Sequence, residues 1–356
     1  MAPHPVRQER EPARPEVTEV ATGVLRLQLP IDMPGLGHVN CYAVADRRGC
    51  TVVDPGLPGL RAWRALQQRL AAAGVRVRDI HTVIVTHTHP DHSGTAGRLA
   101  KAAGAELVTH SAFRPWWAPQ ALDPCDEVHD VHPDDLPERN PFEEPPPWDD
   151  SSIPAAHERV RWRLQRIALA RVFTPPRPTR RVRDGEVIRI GDRDWVAIHT
   201  PGHTLEHLCL YDPTEATLLS GDHVLPTITP HISGLGEGRD PLRHYIDSLD
   251  KVAGLPDIRV VLPAHGHPFT DIAGRVDSIK AHHIERMEHL REASLSLGPQ
   301  TVAELSHHLF RKAVWGPMAE SETYAHLEHL RLLGDAERYD DGKGRLLYRV
   351  QASSAA

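Results

Sequence analysis

The sequence predicts a two-domain α/β protein, in which a four-layer αββα sandwich precedes a small winged-helix-like α+β domain. Its 356 residues exceed what one hydrophobic core usually organises, so a main domain of roughly 250 residues and a smaller one are expected. Two β-rich stretches, each accompanied by helical patterns, favour two sheets packed face to face with helices outside. We predict a flexible tail at 1–15, a main domain at 16–272 with an insertion at 112–180, and a linker helix with the winged-helix-like domain at 273–356.

The composition is typical of an ordinary globular protein, with 40% hydrophobic and 25% charged residues. The net charge of -7 offers no bulk attraction to nucleic acid or to an anionic membrane. Residues 1–15 lack the apolar run of a signal peptide, so we expect a cytoplasmic protein with no membrane partner. The four cysteines have no paired spacing, which predicts reduced thiols. The 25 histidines are the unusual feature of the composition.

The first half of the chain alternates strand and helix patterns. Short runs of β-branched residues between Gly, Pro and Asp predict strands at 23–29, 40–44, 51–53, 82–86 and 106–109. Apolar residues at helical spacing predict helices at 60–73, which Gly74 would cap, and at 93–103.

Residues 123–150 interrupt this alternation. They contain eleven acidic residues, one arginine and seven prolines, a composition too polar and stiff to build a core. Residues 155–172 then have a basic amphipathic helical pattern, whose positive charge continues through 177–183. Two interpretations stay open: the acidic and basic segments neutralise each other, or they form a lid over an active site.

The second half contains another β-rich stretch and a separate tail. Strands are predicted at 186–190, 194–199, 208–211, 217–220 and 260–262, with a helix at 240–252 and a long polar helix at 273–297. In the tail, Thr301 and Glu304 predict a capping box, 320–333 a second helix, and 340–344 a hairpin turn. This order of elements resembles a winged helix.

A cluster of histidines follows the predicted strand 82–86. The run His87-Thr88-His89-Pro90-Asp91-His92 places three imidazoles and a carboxylate within six residues. In an extended chain, His87 and His89 point to the same side and can hold one ion. The chain then turns into a helix, so Asp91 and His92 leave in another direction and can reach a second ion. Imidazole nitrogen and carboxylate oxygen suit zinc or a comparable first-row metal.

This run matches the HxHxDH signature of the metallo-β-lactamase superfamily, and the chain resembles that family at its other motifs in the same order. These are Asp54 in Val53-Asp54-Pro55-Gly56, His203 in Pro201-Gly202-His203-Thr204, Asp222 in Ser220-Gly221-Asp222, and His265 in Pro263-Ala264-His265-Gly266. The resemblance covers about residues 17–268. In detail it is similar to the glyoxalase II and hydrolase branch, and, with its winged-helix-like tail, to the β-lactamase-like protein 2 group. The glutamate that diiron flavoproteins carry at the position of His89 is absent.

The resemblance implies a binuclear metal centre and the residues that hold it. His87, His89 and His203 would bind one ion, Asp91, His92 and His265 the second, and Asp222 would bridge both. Asp54 would orient a ligand imidazole from outside the ligand set. Two divalent ions, with zinc favoured and iron or manganese as alternatives, would acidify a shared water into a hydroxide nucleophile. Asp91 and Asp222 are therefore the expected catalytic residues. Either Asp91 or a metal-bound water would supply the proton to the leaving group.

Several residues outside this set have two interpretations. His223 and His231 could line the pocket but are left outside the site. Twelve other histidines are interpreted as surface or packing residues, namely His81, His110, His129, His132, His244, His282, His283, His289, His307, His308, His326 and His329. The loop at 38–41 would overhang the metal site, and Trp116, Trp117 and Trp148 would supply an apolar wall, against the alternative of simple loop packing.

The substrate is not fixed by the fold, because this family hydrolyses thioesters, lactones, β-lactams and phosphodiesters. A main domain with such a tail is similar to a group that includes bacterial hydrolases and a mitochondrial endoribonuclease acting on single-stranded RNA. Residues 296–350 contain seven Lys or Arg against eight Asp or Glu, which suits phosphate poorly, whereas the arginines of 160–183 could grip one.

We favour an ester, thioester or lactone of a small molecule as the substrate. Cleavage of single-stranded RNA and a non-catalytic, metal-binding regulator that touches DNA are the alternatives. The tail suits internal packing or a homodimer contact better than nucleic-acid binding.

Overall fold

The computed structural model describes residues 7–33, 35–114, 128–136, 145–149 and 176–352. Within these ranges the chain forms three β-sheets and seven α-helices. The basic helix predicted at 155–172 and the side chains of Trp116 and Trp117 lie outside the described residues. In the described part of the chain, no helix combines the length and apolar character needed to cross a bilayer.

The first sheet has seven strands that lie in sequence order, β1 to β7. They are β1 (Val17–Ala21), β2 (Val24–Met33), β3 (Leu36–Asp46), β4 (Gly49–Val53), β5 (Ile80–Ile84), β6 (Glu106–His110) and β7 (Arg180–Val182). Strands β1 to β4 pair antiparallel, as a meander, and β4 to β7 pair parallel. Strand β7 forms within the positively charged segment 177–183. Its Val182 side chain is fully buried in the core between the sheets, so the charge of the segment does not keep it out of the sheet.

The second sheet has five strands in the order β12-β11-β10-β9-β8. They are β8 (Val187–Ile190), β9 (Arg193–His199), β10 (Leu208–Asp212), β11 (Thr217–Gly221) and β12 (Val260–Pro263). Only the β11–β12 pair is parallel among these strands, because helix α4 (Pro241–Ala253) crosses between them. Asp240 caps that helix by accepting a hydrogen bond from the Arg243 main-chain N–H at 3.0 Å.

The two sheets pack face to face. Buried side chains of the first sheet, such as Ile84 and Val108, meet Trp195 and Leu210 of the second in one apolar cluster. The helices α1 (Leu60–Ala72), α2 (Pro90–Ser93) and α3 (Ala96–Ala103) follow β4 and β5, and α1 and α3 cover the outer face of the first sheet. Helix α4 and the first half of α5 (Ile272–Leu297) cover the outer face of the second. The architecture is therefore the predicted αββα arrangement of four layers.

The end of α5 leads into a small helical unit with its own core. This unit contains α6 (Val302–Leu309), α7 (Pro317–Leu332) and a sheet of β13 (Gln300–Thr301), β14 (Ala336–Asp340) and β15 (Leu346–Val350). Leu290, Leu305, Leu330 and Tyr348 pack together in its interior. The predicted capping box is confirmed at Thr301, whose hydroxyl accepts from the Glu304 main-chain N–H at 3.2 Å.

The prediction of a flexible N-terminal tail does not hold for residues 7–11. Glu9 is fully buried, and its carboxylate accepts hydrogen bonds from the main-chain N–H groups of Thr227 at 2.9 Å and Ile228 at 3.1 Å. The Thr227 hydroxyl donates to the same carboxylate. A buried carboxylate is tolerated when donors satisfy it, so these contacts fix the segment against the loop that follows β11.

Trp148 is also placed differently from its predicted position. Its ring is buried in the core of the C-terminal unit, where its Nε1 donates to Glu320 Oε2 at 3.1 Å. Its main-chain oxygen accepts from the Leu346 N–H at 3.0 Å. Of the two interpretations of Trp148, packing therefore holds and a wall of the metal site does not, and this part of the insertion packs on the C-terminal unit.

Candidate metal centre

The histidine cluster lies where β5 ends and α2 begins. The Thr86 main chain is fixed on both sides, because its N–H donates to Asp54 Oδ1 at 2.9 Å and its C=O accepts from Leu208 N–H at 2.9 Å. Pro90 occupies the first position of α2, where its fixed φ favours the start of a helix. This strand-to-helix transition directs His87 and His89 to one position, and Asp91 and His92 to another.

A first group contains His87, His89, His203 and Asp222. His89 Nδ1 lies 3.0 Å from His87 Nε2 and 3.1 Å from His203 Nε2. Asp222 Oδ2 lies 3.6 Å from His203 Nε2. Two nitrogens bound tetrahedrally to one zinc ion would be about 3.3 Å apart, given bonds of about 2.0 Å. The group therefore has the spacing of a metal site.

A second group contains Asp91, His92 and His265. His265 Nε2 lies 3.4 Å from Asp91 Oδ2 and 3.3 Å from Asp222 Oδ1. Because Asp222 directs Oδ2 to the first group and Oδ1 toward His265, its carboxylate lies between the two groups. All seven residues that the sequence predicted as ligands are thus brought together by the structure.

Hydrogen bonds outside the two groups fix the orientation of four of the imidazoles. Carbonyl oxygens only accept, so His203 Nδ1 donates to His231 O at 2.8 Å and His265 Nδ1 donates to His38 O at 2.7 Å. His92 Nδ1 donates to Asp54 Oδ2 at 2.9 Å.

His87 is held in the same way through a hydroxyl. The Thr86 hydroxyl donates to Asp54 Oδ2 at 2.7 Å, so its oxygen is left to accept from His87 Nδ1 at 3.0 Å. In all four rings Nδ1 is therefore the outward-facing donor and Nε2 faces inward, which is the orientation that a metal ligand requires.

Three buried polar atoms at the centre have no hydrogen-bond partner: His92 Nε2, His265 Nε2 and Asp222 Oδ1. Unsatisfied buried polar atoms are costly, and three that converge on one place indicate a ligand that they would bind. A cation fits this set of donor atoms, whereas an apolar or anionic ligand does not.

The electrostatics of the second group also favour a cation. Burial opposes protonation of His265, but the Asp222 and Asp91 carboxylates outweigh it and raise the pKa of His265 to about 10. Burial is likewise outweighed at Asp91, where His92 and His265 lower the pKa to about 2. In the first group, burial is the main cause that lowers the pKa of His89 to about 3, so this imidazole is neutral at pH 7. Burial also lowers the pKa of His87 and of His203.

Asp54 supports the centre without belonging to either group. Its carboxylate accepts from the Thr86 main chain, the Thr86 hydroxyl and His92 Nδ1. Its backbone has a φ of 53°, in the left-handed region that side chains other than glycine seldom adopt. The chain accepts this strain while the carboxylate is held by three donors.

We expect the Asp54→Ala variant to bind metal about tenfold to a hundredfold more weakly than the parent protein, because His92 would lose the acceptor that orients it. Equilibrium dialysis of the metal-free protein against zinc would measure the affinity. As a control, Asp79→Ala removes an exposed carboxylate whose side chain pairs with Arg76 on the surface. Equal zinc affinities in the Asp54 variant and the parent protein would show that Asp54 does not support the metal centre.

Three residues that support the ligands from outside the two groups were either not predicted from the sequence or predicted in another position. His207 is fully buried and its Nε2 accepts the Asp222 main-chain N–H at 3.1 Å. Glu206 accepts the main-chain N–H of Thr88, between two ligand histidines, at 2.8 Å. Residues 38–41, which were expected to form an overhanging loop, lie in β3, where His38 is fully buried and its main-chain oxygen accepts from His265 Nδ1.

The sequence contains only weak signals for the roles of these residues. His207 follows His203 at a spacing of four, but nothing in the sequence separates it from the other isolated histidines. His223 is fully buried next to Asp222, whereas the side chain of His231 remains 26% exposed.

Comparison with known proteins agrees with this geometry. The sequence model of the metallo-beta-lactamase superfamily matches residues 34–265, which is well over half of the chain. The chain therefore belongs to the metallo-beta-lactamase superfamily, and the prediction of a hydrolase of this class is confirmed. The His and Asp groups are consistent with the dinuclear metal site of this superfamily.

Individual relatives are similar over most of their length. The chain is 28% identical over 317 residues to the probable metallo-hydrolase YqjP of Bacillus subtilis, covering 86% of this chain and 92% of that protein. It is 27% identical to the acyl-coenzyme A thioesterase MBLAC2 of Bos taurus, covering 65% of this chain and 74% of that protein. A crystal structure of a metallo-beta-lactamase family protein from Thermus thermophilus superposes with a TM-score of 0.72 at 28% identity, covering 94% of this chain and all of that one.

Proposed function

We propose that this protein is a binuclear metal-dependent hydrolase that cleaves an ester, thioester or lactone bond of a small molecule. The observation that carries the proposal is the convergence of seven buried or half-buried ligand atoms in two groups, with the Asp222 carboxylate between them. Neither a serine nor a cysteine nucleophile is needed, and the described cysteines Cys41, Cys50 and Cys209 are buried away from these groups.

The residues of the first group would hold one divalent cation, and Asp91, His92 and His265 would hold the second. Zinc is the metal that we favour, with iron or manganese as alternatives, because the donor atoms are imidazole nitrogens and carboxylate oxygens. When bound, two such cations supply an acidified water at neutral pH and polarise the substrate carbonyl.

The side chains of the protein supply orientation and negative charge. Each carboxylate oxygen of Asp222 faces one group, so this residue would contribute to the binding of both cations. The second carboxylate of the centre, Asp91, is the group to which we assign proton transfer: it would take a proton from the attacking water and pass it to the leaving group. His89 is the ligand nearest to solvent, because it is only half-buried while His87 and His203 are buried. We therefore propose that substrate approaches from the side of His89.

Among the three bond types we favour a thioester. The relative MBLAC2 is named an acyl-coenzyme A thioesterase, and the chain covers most of its length. In the C-terminal unit, Arg331 and Arg338 are both paired with Glu328, and Arg345 with Asp341. Arginines that are already neutralised provide little attraction for the phosphates of RNA, which supports a small-molecule substrate.

Turnover assays would test this function. The zinc-loaded protein is offered acyl-coenzyme A thioesters, lactones, simple esters and single-stranded RNA in parallel. We expect thioester hydrolysis that falls by at least about a hundredfold in His89→Ala, since one ligand of the first cation is lost. As a matched control, His81→Ala alters a histidine of β5 that pairs with Asp46 outside the centre, and it should keep the parent rate.

Two other outcomes of these experiments would indicate a different function for the protein. Metal-dependent RNA cleavage that is lost in His89→Ala would contradict the small-molecule proposal. Salt-sensitive DNA binding without any turnover would instead support a regulator.

A further inference from the structure

The loop between β11 and α4 is attached to helix α7 of the C-terminal unit. The Gly234 main-chain N–H donates to Ser321 O at 3.2 Å, and the hydroxyls of Ser233 and Ser321 lie 3.1 Å apart. A Cβ atom at Gly234 would lie 2.6 Å from the Tyr324 ring, so only glycine allows this close approach. The loop is therefore fixed against α7 rather than free in solvent.

The same loop carries the acceptor that orients a metal ligand. His203 Nδ1 donates to the main-chain oxygen of His231, and His231 Nδ1 lies 3.1 Å from Glu322 Oε2 on α7. The other carboxylate oxygen, Glu322 Oε1, accepts from Arg286 Nη1 of α5 at 2.8 Å. A continuous set of hydrogen bonds thus joins the C-terminal unit to a ligand of the first group.

Burial and charge make this connection firm. The side chains of Glu322 and Arg286 are 10% and 16% exposed, and the Arg286 guanidinium stacks over the Phe310 ring at 4.4 Å. Burial would raise the pKa of Glu322, but His231 and Arg286 outweigh it and lower the pKa to about 2. The carboxylate is therefore ionised and bound through both oxygens, which restricts its position.

The other oriented ligands have their supports inside the sandwich or at its edge. His87 and His92 depend on Thr86 and Asp54, and His265 depends on the main-chain oxygen of His38. Among the four imidazoles whose Nδ1 partner is fixed, His203 is the one whose support is held by a side chain of α7. A change at this helix would therefore act on the first group and leave the second unchanged.

We propose that Glu322 and His231 are positioning residues through which the C-terminal unit sets the orientation of His203, and thereby the affinity of the first group for its metal ion. The inference rests on the proposed metal centre. It assigns the C-terminal unit a role in completing that centre, in addition to packing against the sandwich.

A cobalt titration of the full-length protein would test this proposal. Cobalt(II) alone is added to the metal-free protein, and calorimetry together with the visible absorption of the ion separates the two binding steps. In His231→Ala, whose side chain is partly exposed, we expect one of the two cobalt affinities to fall by about tenfold to a hundredfold, while the other is unchanged. Glu322→Gln keeps a hydrogen-bond acceptor for His231 and should lose less.

Two further variants distinguish positioning from general destabilisation. Glu328→Gln alters another buried glutamate of α7, which pairs with Arg331 and Arg338 inside the C-terminal unit, and both cobalt affinities should stay unchanged. The double variant His231→Ala/Glu322→Gln should be no weaker than His231→Ala, because both changes interrupt one path.

The proposal is overturned if His231→Ala weakens both cobalt ions equally or neither, if Glu328→Gln has the same effect, or if the losses in the double variant add. A parent protein that binds no cobalt at all would refute the metal centre itself. A parent protein that binds two ions, with no selective loss in the variants, would refute only the role of Glu322 and His231.

Discussion

We expect Asp222→Asn to lower kcat/KM by at least about a thousandfold, which corresponds to about 4 kcal/mol of transition-state stabilisation. The amide has nearly the shape of the carboxylate but only one oxygen that can bind a cation. Since the two oxygens of Asp222 face different groups, the asparagine variant can bind a cation in one group but not in both. Steady-state kinetics with the thioester substrate, together with the metal content of the purified variant, would measure the loss.

A matched control for this variant is Asp212→Asn. Asp212 is also buried and ends β10, the strand that pairs with β11, but its carboxylate pairs with Arg193 at 3.1 Å, outside the centre. We expect this control to lower the melting temperature while the folded fraction keeps its activity. If Asp222→Asn retained more than about a tenth of the parent activity, a bridging carboxylate would not be part of the mechanism.

Removal of the metal should cause the second large loss of activity. Dialysis against a chelator should abolish hydrolysis, and adding back zinc should restore it. The melting temperature should also fall, because a ligand that binds only the folded state stabilises it by about 4 kcal/mol when its free concentration is a thousand times its Kd. For a chain of 356 residues this corresponds to a decrease of roughly 5 °C. Calorimetry before and after chelation would measure it.

A variant with less bound metal controls for effects of the chelator that do not depend on the metal. The variant Asp222→Asn should show a smaller decrease of the melting temperature on chelation, since it starts with less bound metal. A parent protein whose activity and melting temperature both survive exhaustive chelation would contradict the metal-dependent mechanism.

Much of the centre could be predicted from the sequence, because its central part is local. The strand pattern that ends at Thr86 and the dense run from His87 to His92 specify geometry through the periods of strand and helix alone. The more distant members, such as His203 and Asp222, were found through resemblance to family motifs. Spacing within the chain could not have placed them beside His87.

The contacts that support the centre could not be predicted in the same way. Glu206 and His207 act through main-chain N–H groups of other segments, and such contacts leave no periodic pattern in a sequence. The pairing of His231 with Glu322 joins residues 91 positions apart. The burial of Glu9 was missed because a polar, proline-rich segment is typical of a free tail, whereas three donors of a distant loop satisfy its carboxylate.

The two sheets and their outer helices were predicted more accurately than the short peripheral segments. The alternation of strand and helix patterns indicated both sheets and their outer helices, since those elements are long enough to carry a period. Strand β7 has three residues, which is too short for any period to appear, and only its pairing with β6 defines it. Trp148 likewise has no local pattern that indicates which core receives its ring.

Anomalous diffraction from crystals grown with zinc tests the central claim most directly. Data collected at the zinc absorption edge should show two peaks, one on each side of the Asp222 carboxylate. One peak should lie about 2.0–2.2 Å from the nearest nitrogens of His87, His89 and His203, and the other at the same distances from Asp91, His92 and His265. Zinc-loaded crystals with no anomalous peak among these seven residues would contradict the account.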